Sequence, residues 1–178
     1  MNLANKLTIA RIVLVPVFMI VLLNKIPYGM YIAAAIFIIA AITDTLDGYI
    51  ARSRNQVTKF GKFIDPLADK LLVTAALVCL VQMGKLPAWI VVVIISREYT
   101  ISILRAVAAS EGIVIAASWW GKLKTITQII AIVAILLNNY PFSLIGFPFS
   151  TIMLWIAVIL TIVSGVDYLY LNKQVLKH

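Results

Sequence analysis

The chain has 178 residues, 63% of them hydrophobic and 12% charged, with a formal net charge of +8. A soluble domain carries roughly a quarter charged residues, so a water-soluble globule, a disordered chain and a disulfide-framed secreted module are excluded. The composition is that of a membrane protein. The lone Cys79 cannot form an internal disulfide, and the single histidine is His178. An internal Ser-His-Asp triad and an HExxH zinc site are therefore excluded. Gly-Lys occurs at residues 61, 84 and 121, but no Ser or Thr follows directly, so there is no P-loop. Any catalysis must rest on carboxylates.

A spanning helix needs about 20 mostly apolar residues. The first predicted span runs from about Leu7 to Leu23. Lys6 and Arg11 before an apolar run suggest a signal peptide, but no small-residue cleavage site follows promptly, so this is read as a retained helix. Further spans are predicted over Tyr28 to Arg52, Phe63 to Met83 and Pro87 to Ala108. Thr125 to Val166 carries no charge and is too long for one span. Asn138-Asn139-Tyr140-Pro141 and Gly146-Phe147-Pro148 divide it in two, because Asn, Pro and Gly punctuate helices. The expected fold class is an all-α integral membrane protein of six transmembrane helices, forming a single domain over residues 1–178.

With six spans, both termini share a side with Lys6, Arg11, Arg52, Arg54, Lys59, Lys62, Lys70, Arg97, Arg105, Lys122, Lys124, Lys173 and Lys177. Lys25 and Lys85 fall on the other side, which predicts cytoplasmic termini. The net positive charge is thereby assigned to flanks facing anionic lipid or substrate, with no nucleic-acid partner needed. Trp119-Trp120 and Tyr168/Tyr170 read as interfacial anchors.

Four of the seven acids lie within residues 44–70. Asp44 and Asp47 are spaced i,i+3 near the end of the second span, and Asp65 and Asp69 are spaced i,i+4 at the start of the third. Each pair occupies one face of its helix, and the short connection predicts antiparallel packing that brings the pairs together. Four desolvated carboxylates repel one another, a problem that two Mg²⁺ or Mn²⁺ ions remove, since hard oxygen ligands suit those metals. The alternative is four surface aspartates paired with nearby Lys and Arg. A two-metal site facing the cytoplasm suits phosphoryl chemistry; Gly48 would let a ligand approach closely and Arg52 offers a planar fork for phosphate.

The segment resembles the signature of the CDP-alcohol phosphotransferase family, D-x2-D-G-x2-A-R-x8-G-x3-D-x3-D. It reads Asp44, Asp47, Gly48, Ala51, Arg52, Gly61, Asp65 and Asp69, with every spacing matched. The resemblance implies transfer of a substituted phosphate from a CDP-linked donor to an alcohol, with release of CMP. It also implies that Asp44, Asp47 and Asp65 hold two metal ions, and that Asp69 is both a ligand and the general base. Gly48, Ala51, Arg52 and Gly61 would line the CDP site, with Thr58 near the nucleotide. Asn5 and Thr8 would touch the donor; their alternative is helix capping. A homodimer is likewise implied by the resemblance.

Helix 4 carries Arg97, Glu98, Ser102 and Arg105, of which Glu98 and Arg105 share a face. These groups face a cavity or pair with each other, a Glu98–Arg105 ion pair being the alternative to a ligand site. Arg105, Lys122 and Lys124 are the candidates to hold a phosphate on the acceptor. Residues 5–18, 97–112 and 121–128 resemble the phosphatidylglycerophosphate synthase branch of the family. That branch implies CDP-diacylglycerol and sn-glycerol 3-phosphate as substrates in the inner (cytoplasmic) membrane. Inositol phosphate, serine or phosphatidylglycerol as acceptor stays open. A small cation transporter is the remote alternative, but it would need acids strung along a pathway, and the interiors of helices 1, 5 and 6 have none.

Overall fold

The computed structural model describes residues 3–24, 26–53, 59–113, 115–116 and 118–173; within these, the side chains of 3–4, 45–53, 59–63, 65–66 and 69 lie outside the description. The described residues form helices and no strand: α1 (Leu3–Leu23), α2 (Gly29–Ser53), α3 (Lys59–Gln82), α4 (Ala88–Ser110), α5 (Trp119–Leu136) and α6 (Phe149–Leu171). The all-α reading holds. α1, α5 and α6 are long and apolar enough to cross a membrane by length and composition. In α4 every long window includes Arg97, Glu98 and Arg105, which lowers its apolar character. The apolar stretches of α2 and α3 among the described side chains are Gly29–Asp44 and Lys70–Gln82.

The chain divides into two compact units, Met1–Lys85 and Leu86–His178. In the first, α1 packs along both α2 and α3, whereas α2 and α3 meet each other more sparingly. The direct pairing of α2 with α3 expected from their short connection is thus secondary to their shared packing on α1. Small side chains permit it: Ala33, Ala34 and Ala40 on α2, and Ala68, Ala75 and Ala76 on α3, are all buried. Phe18 of α1 stacks at an angle on Phe37 of α2, with ring centroids 6.1 Å apart. Gly29 closes the turn between them, since a Cβ there would come within 3.0 Å of the Val21 carbonyl oxygen.

In the second unit α5 and α6 pack along each other and α4 packs on α6. Ile101, Leu104 and Ala108 of α4 form a buried cluster with Tyr168. The expected break between the fifth and sixth helices is present. Asn138 and Asn139 adopt positive φ, and the Asn139 side chain donates to the Phe147 carbonyl oxygen and accepts from the Ser150 N–H. Asn residues tolerate that left-handed backbone, so the turn is encoded locally.

Tyr168 and Tyr170 part company. Tyr170 is exposed, as an interfacial anchor should be, but Tyr168 is only 3% exposed and belongs to the core. Two residues apart on a helix point about 200° apart, so both cannot face the lipid. Trp119 and Trp120 are exposed, as expected of anchors.

Candidate active site

In the first unit the polar face of α1 is built from Asn5, Thr8 and Arg11, three residues apart along one helix and all buried. Asn5 lies in the first turn of α1 and Thr8 in the second, so neither is the residue that precedes the helix as an N-cap does. Arg11 is 1% exposed and ion-paired with Asp44 of α2. Reading Arg11 as a flank charge facing lipid is therefore corrected. The guanidinium is buried because an acid across the helix interface receives it.

Asp44 and Asp47 lie on α2, and Asp65 and Asp69 on α3. Asp44 is the member of this set with a described side chain; those of Asp47, Gly48, Ala51, Arg52, Gly61, Asp65 and Asp69 lie outside the described residues, as does Thr58 altogether. The donor chemistry nonetheless fits divalent ions. The residues offer two carboxylates on each of two helices that share one packing partner, and Asp44 is at the rim with its side chain 38% exposed. Hard, anionic oxygens in that number suit Mg²⁺ or Mn²⁺.

The second unit holds a separate polar cluster. Lys124 is buried on α5 and ion-paired with Glu98 of α4. This corrects two expectations: Glu98 pairs with Lys124 rather than with Arg105, and Lys124 is not a lipid-facing flank. Ser102, placed between Glu98 and Arg105 in sequence, donates instead to the Glu98 carbonyl oxygen of its own helix at 2.7 Å. Arg105 and Lys122 are exposed.

Arg97 is seated by two glycines. A Cβ at Gly165 of α6 would stand 3.1 Å from Arg97 Cγ, and one at Gly121 of α5 would stand 3.6 Å from its Nη2. Gly165 thus makes room for the stem, and the guanidinium lies against the first turn of α5, where Ser118 caps the Gly121 N–H. Tyr168 lies within Coulombic reach of both Arg97 and Arg105.

Several buried polar atoms in this unit make no hydrogen bond: Arg97 Nε, Tyr168 Oη, and both Gln128 Nε2 and Oε1. Each such atom costs about 1–3 kcal/mol when left unsatisfied. They fall on α4, α5 and α6 of this unit. Thr161 and Ser164, also buried, direct their hydroxyl protons to the carbonyl oxygens of Ala157 and Thr161.

A helical membrane protein with paired carboxylates on two helices, and with a buried lysine, a glycine-seated arginine and unfilled polar atoms on three more, has the equipment of an enzyme that handles phosphate esters of lipids. The chain belongs to the CDP-alcohol phosphatidyltransferase family, whose model matches residues 1–163. A CDP-diacylglycerol–glycerol-3-phosphate 3-phosphatidyltransferase of Bacillus subtilis is 52% identical, covering 99% of this chain and 97% of the relative. A protein of the same name from Haemophilus influenzae is 43% identical over 97% of this chain and 94% of its own. A probable phosphatidylglycerophosphate synthase of Mycobacterium tuberculosis is 42% identical, covering 94% of this chain and 79% of its own.

Sequence reasoning missed Arg11, Gln128 and Tyr168 and left Arg97 without a role. For Gln128 a signal was present, as an amide inside a long stretch free of charge. For Arg11 the signal was its spacing from Asn5 and Thr8, which continues one polar face into the apolar part of α1.

Proposed function

We propose that the protein transfers the phosphatidyl group of CDP-diacylglycerol to sn-glycerol 3-phosphate, giving phosphatidylglycerophosphate and CMP. The observation that carries the acceptor is the cluster on α4, α5 and α6. A buried lysine, a glycine-seated arginine and unfilled polar atoms suit an acceptor that brings a phosphate of its own. An acceptor such as serine brings a single carboxylate beside its own ammonium group, a poorer match to several cations than a phosphate. The names of the relatives point the same way.

In this reading Asp44, Asp47, Asp65 and Asp69 hold two divalent ions, Mg²⁺ or Mn²⁺. When bound, the ions supply positive charge to the phosphates where negative charge develops. Gly48, Ala51, Arg52, Thr58 and Gly61, with Asn5 and Thr8, hold the CDP portion of the donor. Arg105, Lys122 and Lys124 hold the acceptor phosphate, joined by Arg97 of α4, whose guanidinium lies against the first turn of α5.

Asp69 takes the proton from the acceptor hydroxyl. That oxygen forms a bond to the β-phosphorus of the donor as the bond from phosphorus to the bridging oxygen breaks, and CMP leaves with the electron pair. Of these cations Lys124 is buried, and a low-dielectric setting strengthens its attraction to phosphate. The reading places the site at the cytoplasmic face of the cell membrane, with both termini in the cytoplasm, and the assembly as a homodimer.

The test is an acceptor panel on purified protein with CDP-diacylglycerol and Mg²⁺. CMP release is measured with glycerol 3-phosphate, inositol phosphate, serine and phosphatidylglycerol. Release with glycerol 3-phosphate supports the reading; release with only another member of the panel overturns it.

A further inference from the structure

Gln128 sits midway along α5, is 3% exposed, and leaves both its amide oxygen and its amide nitrogen without a hydrogen-bond partner. A leucine would be cheaper there, because an unsatisfied amide in a spanning helix has no water to turn to. Its neighbour Thr127 does not share the problem, since its hydroxyl reaches the carbonyl oxygens of Leu123 and Lys124 at 3.0 Å each. Gln128 is therefore the residue on this helix that awaits something from outside the fold.

Its position says what. Lys124 precedes it by one turn on the same face and is buried against Glu98. Helical side chains lean back toward the helix N-terminus, so the Gln128 amide leans toward the Lys124–Glu98 pair. One turn is about 5.4 Å, the reach between a phosphate and a hydroxyl a few bonds away on the same small molecule.

The chemistry narrows the choice. An amide presents one acceptor and two donors. A phosphate or carboxylate would fill only the nitrogen. A hydroxyl fills both, donating to Oε1 and accepting from Nε2.

Building on the proposed activity, we propose that Gln128 is the specificity-determining residue that reads the acceptor's spare hydroxyl. This is the middle hydroxyl of a glycerol phosphate, which the reaction does not consume. The residue thereby selects polyol phosphates over simple hydroxyalkyl phosphates. A site built to hydrogen-bond a hydroxyl rejects the analogue that lacks it, because its own polar atoms are left unpaired.

The experiment compares sn-glycerol 3-phosphate with 3-hydroxypropyl phosphate, which differs only by lacking the middle hydroxyl. CMP release from CDP-diacylglycerol is followed for the full chain and for Gln128→Met, whose apolar side chain has nearly the same length. The wild-type protein is expected to favour glycerol 3-phosphate by about tenfold to a hundredfold in kcat/KM. In Gln128→Met that ratio should fall to within about threefold of unity through loss on glycerol 3-phosphate alone. Turnover of 3-hydroxypropyl phosphate and the KM for CDP-diacylglycerol should stay unchanged, which also reports that the variant is folded.

A wild-type protein that does not discriminate between the two acceptors overturns the inference without any variant. So does a Gln128→Met variant that keeps the preference, or that loses both acceptors in parallel, as a purely structural amide or one holding a buried water would. Failure of wild-type protein to use glycerol 3-phosphate while using another acceptor overturns the proposed activity itself, a result distinct from each of these.

Discussion

Arg11 and Asp44 form an ion pair that is lopsided: the guanidinium is 1% exposed and the carboxylate 38%. Loss of one partner is therefore not equivalent to loss of the other. Without Asp44 a buried cation has lost one counter-charge, whereas without Arg11 a partly exposed carboxylate still has water within reach. The penalty for stranding a buried charge is about 3–5 kcal/mol. Partial solvation of Asp44 places this case near the lower end.

Asp44→Ala should accordingly lower the unfolding temperature in detergent more than Arg11→Met does. The double variant should recover much of that stability and none of the activity. Thermal unfolding beside CMP release would check both halves. An active double variant would remove Asp44 from the metal site and leave it a structural partner only.

Asp65→Asn should abolish turnover, with unfolding close to that of the unmodified protein. Chelation of divalent ions should do the same reversibly, and Mg²⁺ or Mn²⁺ should restore the activity of the native chain. Ordinary turnover in Asp65→Asn at unraised metal would contradict the two-ion site.

The cations proposed to hold the acceptor divide by burial. Arg105 and Lys122 are exposed, so truncating either should raise the KM for glycerol 3-phosphate by about ten- to a hundredfold, with little change in stability. Lys124→Met should weaken the acceptor similarly and also destabilise the fold, since it strands Glu98. A rise confined to the KM for CDP-diacylglycerol would move these residues to the donor side.

Asp69→Asn keeps the side chain's size and loses the ability to take a proton. Turnover at saturating metal should fall by at least about a hundredfold, while binding of CDP-diacylglycerol partly survives on the other three aspartates. Donor binding that vanishes in step with turnover would make Asp69 a metal ligand with no demonstrated proton transfer.

Much of this architecture is legible in sequence because membrane spans and carboxylate spacings are local patterns. The run from Thr125 to Val166 could only be two helices, and the asparagines that divide it are the residues that make the turn. The spacing from Asp44 to Asp69 is legible because each pair needs only helical periodicity to share a face, and the two pairs do fall on α2 and α3. What sequence could not supply was the partner of each charge. Arg11, Lys124 and Tyr168 all looked like boundary residues, since lysines, arginines and tyrosines usually end spans. Their burial depends on which helix lies opposite: Asp44 for Arg11, Glu98 for Lys124, and the apolar face of α4 for Tyr168. Direct α2–α3 packing was likewise inferred from a short connection, when α1 supplies the larger contact to both.

The proposed reaction joins CDP-diacylglycerol to glycerol 3-phosphate with loss of CMP. Its most direct test is product stoichiometry, with purified protein, CDP-diacylglycerol, radiolabelled sn-glycerol 3-phosphate and Mg²⁺. The account predicts lipid-extractable label that comigrates with phosphatidylglycerophosphate, formed one-for-one with CMP and absent after chelation. CMP released without label entering the lipid would contradict it, as would labelled lipid formed in full after every divalent ion has been removed.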